Sequence, residues 1–147
     1  GIPVPIDEKH VIYVWFDALT TNVDRTAKNV NMLVWHRRLR LIDHGAAFIM
    51  QHDWDSALAR ARDPFKRIRD HVLLPLASRV MQVDAELAAK LTPGVLDGIV
   101  GAIPAEWLAE SGGEARRAVY LEYLQRRLEA PREFAMEAQR AHDALRV

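Results

Sequence analysis

Along most of the chain after residue 45 the apolar positions recur at helical spacing, and the stretch before it departs from that period. Residues 66–83 carry Ile68, Val72, Leu73, Leu76 and Val80 about one helical turn apart, which predicts a helix that Pro75 kinks or splits. A shorter helix is expected over residues 54–62, ending before Pro64. Asp84 is placed to cap AELAAKL, Thr92 to cap a helix opened by Pro93, and Pro104 to open PAEWLAE in the same way. Ser111-Gly112-Gly113 is the clearest loop. Over residues 114–130, Val119, Tyr120, Tyr123, Leu124 and Leu128 form one apolar face with the arginines mostly elsewhere. Pro131 ends that helix and starts REFAMEAQRAHDALR, so two helices are expected to pack together at the C-terminus.

Before residue 45 the pattern is less regular. Residues 11–21, VIYVWFDALTT, put β-branched and aromatic residues first and FDAL later, so strand and helix both fit. NMLVWH (31–36) and LRLID (39–43) are short apolar runs separated by Arg37-Arg38, which predicts a β-hairpin although its turn lacks Asn-Gly chemistry. The expected fold is therefore mainly α with one small hairpin near the N-terminus, in a single domain over residues 1–147 without internal repeats.

Composition narrows the classes without choosing among them. Half of the residues are apolar and 27% charged, a globular balance, and a chain of 147 residues can bury about 68–70% of its unfolded surface. Twenty basic and twenty acidic residues leave no net field to draw the whole chain onto nucleic acid or an anionic membrane. The absence of cysteine excludes disulfides and thiolate metal sites and fits a cytoplasmic protein. No apolar run is long enough to span a bilayer, and the first residues do not read as a signal peptide.

Candidate chemistry lies between residues 22 and 47. Phosphoryl transfer needs a carboxylate near the attacking hydroxyl and oxygen ligands that hold Mg²⁺ against nucleotide phosphates. In protein kinases the catalytic-loop aspartate lies five residues before a metal-binding asparagine, and a hairpin then leads to a second metal-binding aspartate followed shortly by glycine. Asp24 and Asn29 have that spacing, NMLVW and LRLID supply the strands, and Asp43-His44-Gly45 closes the unit.

With DRT-x-x-N followed by LIDHGAA, and with the later HVLLPLA and YLEYLQRRLEAPREF, the chain resembles the HipA-like kinases over nearly all of residues 15–147. The resemblance implies a kinase C-lobe-like helical domain in which Asp24 is catalytic, Asn29 and Asp43 bind Mg²⁺ and ATP, and Lys28 holds a phosphate. Phosphatidylinositol kinases have a similar DRH-x-x-N pattern, and Thr26 stands where they have histidine. Only 23 residues precede Asp24, with Lys9 the one lysine and no G-x-G, so the likeness is to the lower lobe alone. A second likeness covers residues 1–20: GIPVPIDEKHVIYVWFDALT resembles a segment of methionyl-tRNA synthetases, which implies a chimera joined near residue 20. HIGH and KMSKS are absent, which excludes adenylation by this chain, and a tRNA-linked role is the weakest expectation.

Plainer readings stand beside these. Aspartate and asparagine are common turn residues, and HRRLR at the hairpin tip reads as a solvated turn before an RNA or phosphate contact. His36, His44, His52 and His71 match no compact metal spacing, and Trp15, Trp35, Trp54 and Trp107 read as core. The alternative function is a non-catalytic helical module that binds no nucleotide. It would self-associate as a homodimer through an exposed apolar N-terminal face around VIYVWF.

Overall fold

A computed structural model describes residues 6–145. The ambiguous run becomes a helix, α1 (Ile6–Leu19). Its periodicity decides the outcome, because Val11, Val14, Trp15, Ala18 and Leu19 fall on one face and are all buried. The segment GIPVP lies outside the described residues.

Two antiparallel strands follow, β1 (Met32–Trp35) and β2 (Arg38–Leu41), paired Met32 to Leu41 through Trp35 to Arg38. The turn between them has only two residues, His36 and Arg37, both at positive φ (48° and 61°). Backbone that suits Asn-Gly is thus adopted by residues with a Cβ, which is why turn chemistry was a poor guide here. Met32 and Leu39 lean on the core, and Tyr13 anchors the hairpin to α1 by donating its hydroxyl to the Leu39 carbonyl at 3.1 Å.

The helix expected over residues 54–62 is instead a succession of turns, although it does end before Pro64. Two of its carbonyls also meet distant arginines: that of Leu58 accepts from Arg126 and that of Ala61 from buried Arg127, which donates to the Asp63 carbonyl as well. The helix expected over residues 66–83, kinked or split at Pro75, is broken more widely than that, into two 3-10 turns, Lys66–Asp70 and Leu74–Leu76, and the start of α2 (Val80–Lys90). Pro75 brings no N–H, that of Val72 goes to the Arg25 carbonyl at 2.9 Å, and that of Leu73 goes to the His71 ring at 3.0 Å. Those amides cannot also serve an α-helix. Asp84 does not cap; it sits inside α2, buried, and accepts hydrogen bonds from the Trp15 indole and the Arg132 guanidinium, both at 2.8 Å.

Thr92 caps α3 (Pro93–Gly101) as expected, its hydroxyl accepting from the Val95 amide at 3.2 Å. The short α4 (Ala105–Ala109) has Pro104 just before its first turn, and the Gly112-Gly113 loop leads into α5 (Glu114–Leu128). Helix α6 (Glu133–Ala144) follows. The last two helices do not pair chiefly with each other: α5 packs on α3 and α4, and α6 on α1 and α2. Phe134 of α6 is central, edge-on to Trp15 at 5.4 Å between ring centres.

Among the described residues the protein is thus mainly α with a single hairpin between α1 and the rest. Of the four tryptophans expected in the core only Trp15 lies there fully; Trp54 is half-buried against Tyr120, whereas Trp35 and Trp107 are 62% and 77% exposed. The N-terminal run gives most of its apolar surface to the interior, leaving Ile12 and Phe16 on the outside.

Candidate active site

The chain leaving α1 turns sharply at Thr21 (φ 51°) and enters the loop that carries Asp24, Lys28 and Asn29. Asn22 starts the ordering: its side-chain oxygen accepts from the Asp24 amide at 3.1 Å, an Asx-type turn. The Asp24 carboxylate then accepts a hydrogen bond from the Asn29 side chain at 2.9 Å. Asn31 reinforces it by donating to the Asp24 carbonyl at 2.8 Å. Two of the expected residues are therefore in direct contact, and Asp24 is held from both ends of its loop. Lys28 is exposed.

Asp43 reaches the same region from the far end of the hairpin. It is exposed, holds a left-handed backbone (φ 51°), and accepts the Gly45 amide on Oδ1 at 3.3 Å. No hydrogen bond joins its carboxylate to Asp24 or Asn29. The link runs through Arg25, whose guanidinium is wholly buried. Arg25 donates to the Asn31 carbonyl at 2.5 Å and to the Ile42 carbonyl at 3.3 Å, and contacts the His44 ring at 3.3 Å. One side chain thus ties the Asp24 loop to the backbone two residues past Asn29 and one residue before Asp43.

A buried cation needs a buried anion, and Asp17 of α1 supplies it. Its carboxylate, 0% exposed, accepts four hydrogen bonds: two from Arg25 (2.5 and 3.3 Å), one from His71 (2.8 Å) and one from Asn22 (3.3 Å). Burial pushes the Asp17 carboxyl up, but the hydrogen bonds from His71 and Arg25 and the charge of the Arg25 guanidinium outweigh it and hold it below the usual carboxylate range.

None of Asp17, Asn22, Arg25 and His71 stands out from spacing. The available signal was physical: a carboxylate at the centre of the apolar run VWFDALTT either breaks the helix face or finds a buried cation. His71, which fits no compact metal spacing, is here a buried histidine that donates to Asp17.

The donor set suits a hard cation. The Asn29 side-chain oxygen and the Asp43 Oδ2 accept no hydrogen bond among the described residues, and both are oxygens of the kind Mg²⁺ prefers. Among the described residues no three His, Asp or Glu side chains gather as a protein-only metal site would need. Any such ion would therefore draw further ligands from phosphate oxygens and water.

The sequence profile of the HipA-like kinases matches residues 2–135. The chain belongs to the HipA-like kinase family. No curated protein and no solved structure gives a match. The HipA-like match takes in residues 2–20 of the segment that also resembles a synthetase, and α1 within that segment packs into the core, so the expected chimera is not supported.

Proposed function

We propose that this HipA-like kinase chain is the lower lobe of an ATP- and Mg²⁺-dependent phosphotransferase. Asp24 orients the acceptor hydroxyl and takes its proton, Asn29 and Asp43 hold the metal, and Lys28 meets a phosphate. Mg²⁺, when bound, neutralises charge on the phosphate oxygens during transfer. The observation that carries the reading is the buried Arg25 guanidinium, which binds the loop and both ends of the hairpin together and so fixes the backbone beside all three oxygen-bearing residues. Catalysis by positioning depends on that kind of fixed frame.

The Asn29 to Asp24 hydrogen bond gives the proposal its geometry. It turns the Asn29 amide nitrogen toward the carboxylate and leaves its oxygen for the metal, while one Asp24 oxygen remains for the acceptor. Titrating Mg²⁺-ATP into the chain in a calorimeter is the test. Binding that falls at least about tenfold in Asp43→Ala is expected; equal, undetectable heats in both proteins remove nucleotide binding from the reading.

A second reading, a self-associating module without nucleotide, is favoured by exposed Ile12 and Phe16 on α1 together with Val34 and Trp35 on the hairpin, the last two 70% and 62% exposed. Sedimentation showing only monomer at high concentration removes it.

A further inference from the structure

We infer that Asp17 and His71 are positioning residues for the Asp24–Asn29–Asp43 site, acting from beneath it without touching nucleotide or acceptor. The inference rests on the phosphotransferase reading and extends it to residues far from the motif. Asp17 is the point from which three separate chains of hydrogen bonds leave. One passes through the Asn22 side chain to the Asp24 amide, at 3.3 and 3.1 Å. A second passes through Arg25 to the carbonyls of Asn31 and Ile42. The third passes to His71, which lies 54 residues further along the chain.

His71 is held in one tautomer by its own backbone. The Leu73 amide donates to Nδ1 at 3.0 Å, so Nε2 carries the proton and donates it to Asp17 at 2.8 Å. The ring is 5% exposed and is not free to turn over. The same stretch also grips the loop through backbone, by the Thr26 to His71 bridge and the Val72 amide on the Arg25 carbonyl at 2.9 Å. His71 therefore aligns Asp17, and Asp17 aligns Asn22 and Arg25, while the backbone around His71 clamps the other side of Arg25. No solvent reaches these groups to replace a lost partner, so removing the Nε2 donor leaves Asp17 free to shift and carries that shift to Asp24.

The test uses the full chain and three variants. His71→Phe keeps a ring and removes both nitrogens; His71→Gln keeps a donor for Asp17; Phe134→Leu weakens the core without removing any hydrogen bond of the network. Mg²⁺-ATP affinity is measured well below every unfolding midpoint, and amide exchange of Asp24, Ile42 and Val72 is followed by NMR without ligand. The expected result is affinity about 10- to 100-fold weaker in His71→Phe, largely recovered in His71→Gln, and unchanged in Phe134→Leu. In the free protein, Asp24 and Ile42 exchange faster only in His71→Phe. If His71→Phe binds as well as wild type, or loses no more than Phe134→Leu, the inference is overturned. If the wild type binds no Mg²⁺-ATP, the phosphotransferase reading fails by itself; the exchange rates then decide the positioning role, and unchanged protection at Asp24 and Ile42 in His71→Phe overturns it.

Discussion

Replacing Arg25 by methionine tests the frame of the site directly, since methionine fills a similar length of core and carries no donor. The loss has two parts. Asp17, fully buried, keeps only His71 and Asn22, and breaking a buried pair by removing one partner costs about 3–5 kcal/mol. The Asn31 and Ile42 carbonyls also lose a donor, at about 1–3 kcal/mol for a fully buried acceptor and less here, where both contacts are part-buried. A total near the upper end of about 3–5 kcal/mol is a large share of the roughly 5–15 kcal/mol that holds a domain folded. The unfolding midpoint should fall by roughly 10–20 °C at about 2–4 °C per kcal/mol.

Thermal unfolding followed by circular dichroism, on Arg25→Met, Asp17→Asn and the double variant, supplies the cycle. The double variant should cost clearly less than the sum of the singles, because it leaves no unpaired buried charge. Acid adds an independent check. The folded Asp17 carboxyl lies below its unfolded value, so in that window the unfolded state binds more protons and stability rises with pH. The contribution is fully present above the unfolded carboxylate value and is lost as pH falls through the lower folded one. The acid limb of the wild type should therefore be steeper than that of Asp17→Asn. A loss below about 1 kcal/mol in Arg25→Met, with an unchanged acid limb in Asp17→Asn, would refute the reasoning, since surface pairs behave that way.

Other outcomes follow from single contacts. Asp84→Ala strands the Trp15 indole N–H and the Arg132 guanidinium together and should cost about 3 kcal/mol or more by urea titration, with Asp84→Asn recovering part of it; equal losses in the two would show that the acceptor oxygens do not matter. Substituting His36→Asn with Arg37→Gly relieves two left-handed residues and should raise stability by about 1 kcal/mol, while a fall would mean that the turn is held by something other than its own backbone. Gly112→Ala should destabilise by about 1 kcal/mol or more, because its φ is 121° and the new Cβ would meet Arg116 carbon at 3.2 Å. Tolerance of alanine there would place the strain elsewhere.

How far the sequence could be read depended on whether a residue's partners were near in the chain. Thr92 capped as its own pattern said, because the bond it makes reaches only three residues ahead. The amphipathic face of α5 was legible for the same reason, as were the hairpin and the Asp24 to Asn29 spacing, which closes over five residues. Where a distant side chain competed for backbone groups, local pattern misled. Periodicity at residues 66–83 was real, and Ile68, Leu73 and Val80 are buried, yet Arg25 and the His71 ring take the amides a helix would need. Within residues 54–62 the Leu58 and Ala61 carbonyls accept from Arg126 and Arg127, 68 and 66 positions away.

Asp84 misled in the same manner: its nearest use was a cap, and its actual partners are 69 and 48 positions off. Polar residues in apolar surroundings therefore carry more information than their local propensities show. Each must satisfy its hydrogen bonds inside, and the partner it finds fixes the relative placement of two remote segments. Asp17 is the extreme case, since one carboxylate in an apolar helix brings together the Asp24 loop, the hairpin and residues 71–73. The proposed site at exposed Asn29 and Asp43, on either side of the hairpin, gains its order from that buried charge, and the motif and its support are thus separate features of the sequence: one readable by spacing, the other by asking where a buried charge must go.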